Sequence, residues 1–220
     1  MGWITYFNID NFRKYYVEAK TWGEMVPFTV YIAGQTFYAV GVYGDKPSVK
    51  MSPGIDIRYF YPPKIRIDLT ALFYGSKGSS ANTGIGVVFY KGANTVKDEN
   101  GNDLFGIKSS WRELPDDSYS LHDVEFELDI ATRELKWYAD GEQIDVTRLN
   151  DVPDSLRIVA FATDVNGTVG AGITKISVSY YDMFGDIMGQ MINVIQIVVV
   201  FMVVLSVIVA VVRVGRRVRK

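Results

Sequence analysis

Three acidic side chains, Glu125, Glu127 and Asp129, fall at alternate positions and so share one face of an extended strand. Alternation of this kind could supply the two carboxylates of a retaining glycosidase, which stand about 5–5.5 Å apart. It is more simply the polar, solvated side of a half-buried strand, since Val124, Phe126, Leu128 and Ile130 fill the intervening positions. His122 is the one histidine and cysteine is absent, so zinc sites and Cys- or Ser-His triads lack partners. Asp98, Asn100, Asn102 and Asp103 offer oxygens to a Ca²⁺ ion around Gly101, with Asp164 and Asn166 a weaker second loop. The spacing departs from that of an EF-hand, and an Asn-Gly turn accounts for the first loop more simply. Asn166-Gly167-Thr168 is an acceptor for N-glycosylation on an outward-facing domain. Trp22, Trp111 and Tyr119 fall in expected loops, where aromatic rings can stack on sugars, whereas Trp137 is expected in a strand as core or hairpin packing.

The elements that must position these groups are strands. In Lys64–Phe73 the odd positions Ile65, Ile67, Leu69, Ala71 and Phe73 share one face, and Arg66, Asp68 and Thr70 the other. Ile176, Val178 and Tyr180 alternate with Lys175, Ser177 and Ser179 in the same way. Further strands are expected at 4–8, 28–33, 36–43, 55–61, 84–90, 135–139, 156–163 and 169–173, and no helical period is sustained before residue 182. Asp140-Gly141, between Trp137-Tyr138-Ala139 and Glu142–Val146, is a strong signal for a tight hairpin whose two central residues need positive φ. Gly101 and Gly167 mark two further reversals. Many strands with frequent turns predict an antiparallel sandwich over residues 1–181, with 14 Tyr, 12 Phe and 4 Trp in the chain to fill its core.

The run Leu121-His122-Asp-Val124-Glu-Phe126-Glu-Leu128-Asp-Ile130, the turn through Thr132-Arg133-Glu134, and Leu135-Lys-Trp137-Tyr138-Ala-Asp140-Gly141 together resemble a hairpin of the concanavalin A-like lectin and glucanase superfamily. Ala171–Tyr180 resembles that family's final strand, which returns beside the first, and Gly84–Tyr90 its central strand. Over residues 64–181 the resemblance implies an all-β, antiparallel jelly-roll sandwich with one concave, ligand-facing sheet. It also implies where catalytic carboxylates would lie, on a strand upstream of this hairpin, as Glu-x-Asp-x-Glu or one residue longer. Neither Ile65–Phe73 nor Gly84–Tyr90 contains a Glu, so a non-catalytic member is expected.

Beyond the sandwich the chain changes character. Ile187–Val212 is a run of uncharged, mainly apolar residues, followed by Arg213, Arg216, Arg217, Arg219 and Lys220. About 20 apolar residues in helix span a bilayer core, so a junction at 182–190, a single transmembrane α-helix at 191–212 and a basic tail at 213–220 are expected. Residues 1–186 carry 18 basic and 25 acidic side chains, and 187–220 carry five basic and none acidic. A basic cluster beside a span favours the cytoplasmic or virion-interior side and leaves the β-domain outside. The segment Met1–Asp10 has neither a basic start nor an apolar stretch of seven, which opposes that topology; Tyr6 also breaks the myristoylation pattern. An acidic domain without a basic stripe argues against nucleic acid. Gly185 and Gly189, then Ser206 and Ala210, repeat small residues four apart, as in helices that pack side by side in lipid.

The expected function is therefore a non-catalytic, membrane-anchored structural or attachment protein that presents a lectin-like domain to surface glycans or neighbouring proteins. Its partners are the lipid bilayer, further copies of itself or other envelope proteins, and glycans, with Ca²⁺ the one cofactor its loops suggest. The cysteine-free sandwich on a C-terminal anchor is similar in plan to a minor structural protein of a spindle-shaped archaeal virus. The alternative is a degenerate or unusual glycan-active enzyme, or a cellular carbohydrate-binding surface protein.

Overall fold

The computed structural model describes residues 3–15, 26–44, 49–51, 55–56, 63–111 and 118–181. Ile4–Tyr181 form one compact unit. Its strands are β1 (Trp3–Ile9), β2 (Val26–Ile32), β3 (Gln35–Gly44), β4 (Val49–Met51), β5 (Ile55–Asp56), β6 (Lys64–Gly75), β7 (Ser80–Lys91) and β8 (Asn94–Thr95). They continue with β9 (Phe105–Trp111), β10 (Ser118–Asp129), β11 (Glu134–Ala139), β12 (Glu142–Arg148), β13 (Ser155–Asn166) and β14 (Val169–Tyr181). A single helical turn, α1 (Phe12–Tyr15), follows β1.

These strands make two sheets. The eight-stranded sheet runs β12-β11-β10-β6-β14-β3-β2, with β1 also on β14; the six-stranded sheet runs β4-β13-β7-β8, with β5 on β13 and β9 on β7. The ladders of β6 with β10 and β14, and of β13 with β7, are antiparallel. The closing strand β14 lies between β6 and β3 and also pairs with β1, as the resemblance implied for a final strand returning beside the first. The all-β antiparallel sandwich expected of the sequence is the observed fold.

Alternation builds the core. Ile65, Ile67, Leu69, Ala71 and Phe73 of β6 all point inward and are at most 3 % exposed. They meet Val124, Phe126 and Leu128 of β10, Ile176 and Val178 of β14, and from the other sheet Ile85, Val87, Phe89, Leu156 and Ile158. Trp137 packs against this cluster with its ring 6.2 Å from Phe126, as expected of a strand tryptophan.

A second apolar cluster lies on the outer face of the eight-stranded sheet, and it explains why Leu72 interrupts the alternation of β6 at 0 % exposure. Pairing of β3 with β14 ends at Val40, and β1 also takes a place beside β14. The free half of the β2–β3 hairpin instead folds across the sheet, bringing Phe37 to 4.9 Å from Tyr119 of β10, three strands away. Phe28 lies over Gly172, where any side chain would strike its ring, and packs closely on Gly170. Phe28, Tyr43 and Tyr74 stack in sequence, with centroids 5.0 and 6.2 Å apart. One end of the outer face is thereby closed by apolar packing, and among the described residues the other end is left open.

The strand expected at 55–61 is described only at Ile55–Asp56. The positions of the expected transmembrane helix at 191–212, of the expected packing residues Gly185, Gly189, Ser206 and Ala210, and of the expected junction and basic tail lie outside the described residues. Among the described residues no helix is long and apolar enough to cross a membrane.

Candidate functional site

The open end of the outer face is a grid of polar side chains whose rows are set by strand register. Tyr138, Glu125, Asp68 and Ser177 stand side by side on β11, β10, β6 and β14. The next row is Asp123, Thr70 and Lys175. On the other side of the first row come Lys136, Glu127, Arg66 and Ser179. Each of these residues is the polar half of an alternating strand, so burial of the apolar half in the core forces them together on one face.

Arg66 organises the centre. Its guanidinium lies 2.9 Å from Asp68 and 2.8 Å from Glu125, and its Nε donates to both Asp68 oxygens at 3.0 and 3.1 Å. The hydrogen bond to Asp68 is the main reason that the Arg66 pKa is raised, and burial works against it. Burial raises the Glu125 pKa; Arg66 pulls it down, while Asp68 and Glu127 add to the rise. Lys64 lies 3.3 Å from Glu127 and 3.8 Å from Asp129. Glu125, Glu127 and Asp129, read from the sequence as a solvated acidic face, are thus half-buried and paired with cations of β6.

Beside this clamp lies a cleft of about 490 Å³. Asp68, Thr70, Asp123 and Glu125 line its floor, Lys175 and Ser177 lie toward β14, and Tyr138 and Gly141 form the β11 side. Asn8 and Asp10, on and just after β1, complete it. The Thr70 hydroxyl donates to Asp123 at 2.7 Å and fixes that carboxylate within the cleft. Tyr138 and Gly141 are held in place by the β11–β12 turn. Asp140 and Gly141 there have φ of 52° and 81°, the two positive values expected for an Asp-Gly hairpin. Asp140 accepts from the Asp123 amide at 2.9 Å and bonds His122 Nδ1 at 2.8 Å. The single histidine is therefore structural, and its bond is the main cause of the lowered Asp140 pKa.

The residues proposed from sequence do not converge on this cleft. Asp98 closes its own loop: Oδ1 accepts from the amides of Asn100 and Asn102 at 2.8 and 2.7 Å, and Oδ2 from the Asn102 side chain at 2.9 Å. Burial pushes the Asp98 pKa up, but these hydrogen bonds outweigh it and hold the pKa low. Asp103 turns away to accept from Thr95 at 3.1 Å. Among the described residues no three His, Cys, Asp or Glu side chains gather as a metal site.

Tyr119 is not in a loop but on β10, where it packs on Phe37 and the second apolar cluster. Trp111 ends β9 instead of lying in a loop, its side chain is outside the described residues, and so is Trp22. Asn166 is exposed at the end of β13, before the turn at Gly167 with φ of 81°. The cleft residues Asn8, Asp10, Asp68, Thr70, Asp123, Tyr138 and Lys175 were not singled out as a site. Alternation marks them as polar-face residues, but only the register of β6 with β10 and β14 makes them neighbours.

No family model matches the chain, and no curated protein matches it. Among solved structures it is similar to the metal-free carbohydrate recognition domain of Emp46p, at 14 % identity and TM-score 0.47, over 81 % of this chain and 98 % of that one. It is similar also to a GlcNAcα1-4Gal releasing endo-β-galactosidase from Clostridium perfringens, at 11 % identity and TM-score 0.44, over 82 % and 64 % of the two chains. A third such structure is basic winged bean lectin with Tn-antigen, at 9 % identity and TM-score 0.40, over 82 % and 99 %.

Proposed function

We propose that this chain is a non-catalytic glycan-binding protein that holds its ligand in the cleft between β1 and β11. The observation that carries the reading is the composition of that cleft: fixed carboxylates, a hydroxyl, an amide and an ammonium group beside a tyrosine ring. A sugar presents vicinal hydroxyls that donate to a carboxylate and accept from an amide or ammonium. Its C–H face packs on an aromatic ring. A few fixed polar groups beside such a surface are what a small-molecule site requires.

The absence of catalysis is supported by the Arg66 clamp. Asp68 and Glu125 both pair with one guanidinium, at 2.9 and 2.8 Å, so neither carboxylate stands free to face a scissile bond. The glycan-active alternative draws on one observation, the burial-raised Glu125 pKa directly across from Asp68. Loss of polysaccharide cleavage on Glu125→Gln would favour it. A glycan array probed with the full chain and with Tyr138→Ala tests the binding reading: retained glycan spots that vanish in the variant support it, and an array blank for both opposes it.

The anchored part of the proposal draws on the apolar run 187–212 and the basic residues after it. In this reading the β-domain faces outward from an envelope, such as that of an archaeal virus, or from a cell surface, and the anchors associate with one another. Protease added to intact particles or vesicles then cuts the β-domain and spares the tail; the reverse pattern would invert the topology.

A further inference from the structure

Asn8 and Asp10 line one margin of the cleft, on and just after β1. Tyr138 stands at the opposite margin, on β11. From β1 across β14, β6 and β10 to β11 there are four strand intervals, about 19 Å at roughly 4.8 Å each. The cleft therefore runs across the strands from Asn8 and Asp10 to Tyr138 with hydrogen-bonding groups between, a length greater than one sugar ring needs.

The groups between these margins set the sign of charge it accepts. Among the described residues Asp10, Asp68, Asp123 and Glu125 line the cleft against Lys175 alone, and Arg66 beside it is already engaged by Asp68 and Glu125. A uronate or sialic acid carboxylate placed here would meet like charge, whereas hydroxyl and ammonium groups find acceptors. The β2–β3 hairpin covers the apolar end of the same face, so the ligand's path is limited to the polar end.

We infer that the ligand is a neutral or amino-sugar oligosaccharide of several units, laid across β1, β14, β6, β10 and β11 between Asn8 and Tyr138, and that acidic glycans are excluded. This inference rests on the glycan-binding reading above.

The test uses the full chain in detergent or nanodiscs and a panel of tetrasaccharides: neutral gluco-, manno-, xylo- and galacto-types, glucosamine tetramers, and uronate or sialylated counterparts, each beside its monosaccharide. The expected result is that a neutral or amino-sugar tetramer binds on the order of tenfold more tightly than its monomer, while the acidic forms do not bind. Asn8→Ala should reduce the tetramer-to-monomer ratio about fivefold, the loss of one hydrogen bond at the β1 end. Tyr31→Ala, at a tyrosine that is 72 % exposed elsewhere, should leave it unchanged. Equal affinity for tetramer and monomer, or preference for an acidic glycan, overturns this inference while leaving glycan binding intact. No binding across the panel overturns the underlying reading as well.

Discussion

The Asp140 carboxylate is bonded to His122 Nδ1 at 2.8 Å, so the tip of the β11–β12 hairpin is tied to the strand that precedes it. Its second oxygen accepts from the Asp123 amide at 2.9 Å, and the Asp140 amide donates back to the Asp123 carbonyl at 2.7 Å. The two residues that stand out in the sequence, a strand-opening His and an Asp-Gly turn, are one structural device that sets Tyr138 and Gly141 at the cleft margin.

Asp140→Ala removes both side-chain bonds and leaves the Asp123 amide to water. The Asp140 side chain is 55 % exposed, so the loss of stability should be about 1 kcal/mol. Faster hydrogen exchange at the Asp123 amide, with the core amides of β6 unaffected, is the local readout.

The pH dependence follows from the same groups. Asp140 is held below its ordinary value by His122, Asp129 by the Thr132 amide, and Asp98 by its loop hydrogen bonds against the opposing effect of burial. A carboxyl whose folded pKa is depressed contributes stability that is present above its unfolded value and lost as pH falls through the folded one. Glu125, raised chiefly by burial, works in the opposite sense: its contribution declines as pH rises through its folded value. Asp151, lowered by its bond to Lys91, makes four depressed carboxyls against one raised, which predicts that the melting temperature falls steadily below about pH 4. Asp140→Ala should flatten that fall.

The β2–β3 turn carries removable strain. Ala33 has φ of 51° and Gly34 of 82°, so an alanine occupies a left-handed position that Asn or Gly adopts at lower cost. Ala33→Asn should raise stability by about 1 kcal/mol, seen as a higher melting temperature with unchanged circular dichroism.

Gly172 makes room for the hairpin that closes the apolar end of the outer face. A Cβ there would lie 2.7 and 2.8 Å from Phe28 ring atoms. Gly172→Val should displace Phe28 and cost about 2 kcal/mol. Loss of the nuclear Overhauser contact between Phe37 and Tyr119 would accompany it if the hairpin lifts.

Much of the sandwich was legible because its strands alternate. The inward faces of β6, β10 and β14 were assigned from period two, and the Asp140-Gly141 turn from the need for positive φ. The strand Phe105–Trp111 was not expected because Gly106, Lys108, Ser109 and Ser110 have little preference for strand; it forms against β7, where Gly106 and Gly86 let the backbones approach. Tyr119 was placed in a loop because serines flank it, although ladder pairing with Tyr74 extends β10 back to Ser118. The cleft was not legible as a site: Asp68 and Glu125 are 57 positions apart and become neighbours only through register, which no local pattern encodes.

Glycan binding in the cleft is tested most directly by amide chemical shift mapping of the full chain titrated with the tightest-binding oligosaccharide. Shifts should concentrate at Asp68, Thr70, Asp123, Glu125, Tyr138 and Ser177, and Asp123→Ala should abolish them while the spectrum elsewhere stays that of the folded protein. Shifts confined to the six-stranded sheet, or to the Asp98–Asp103 loop, would contradict the account.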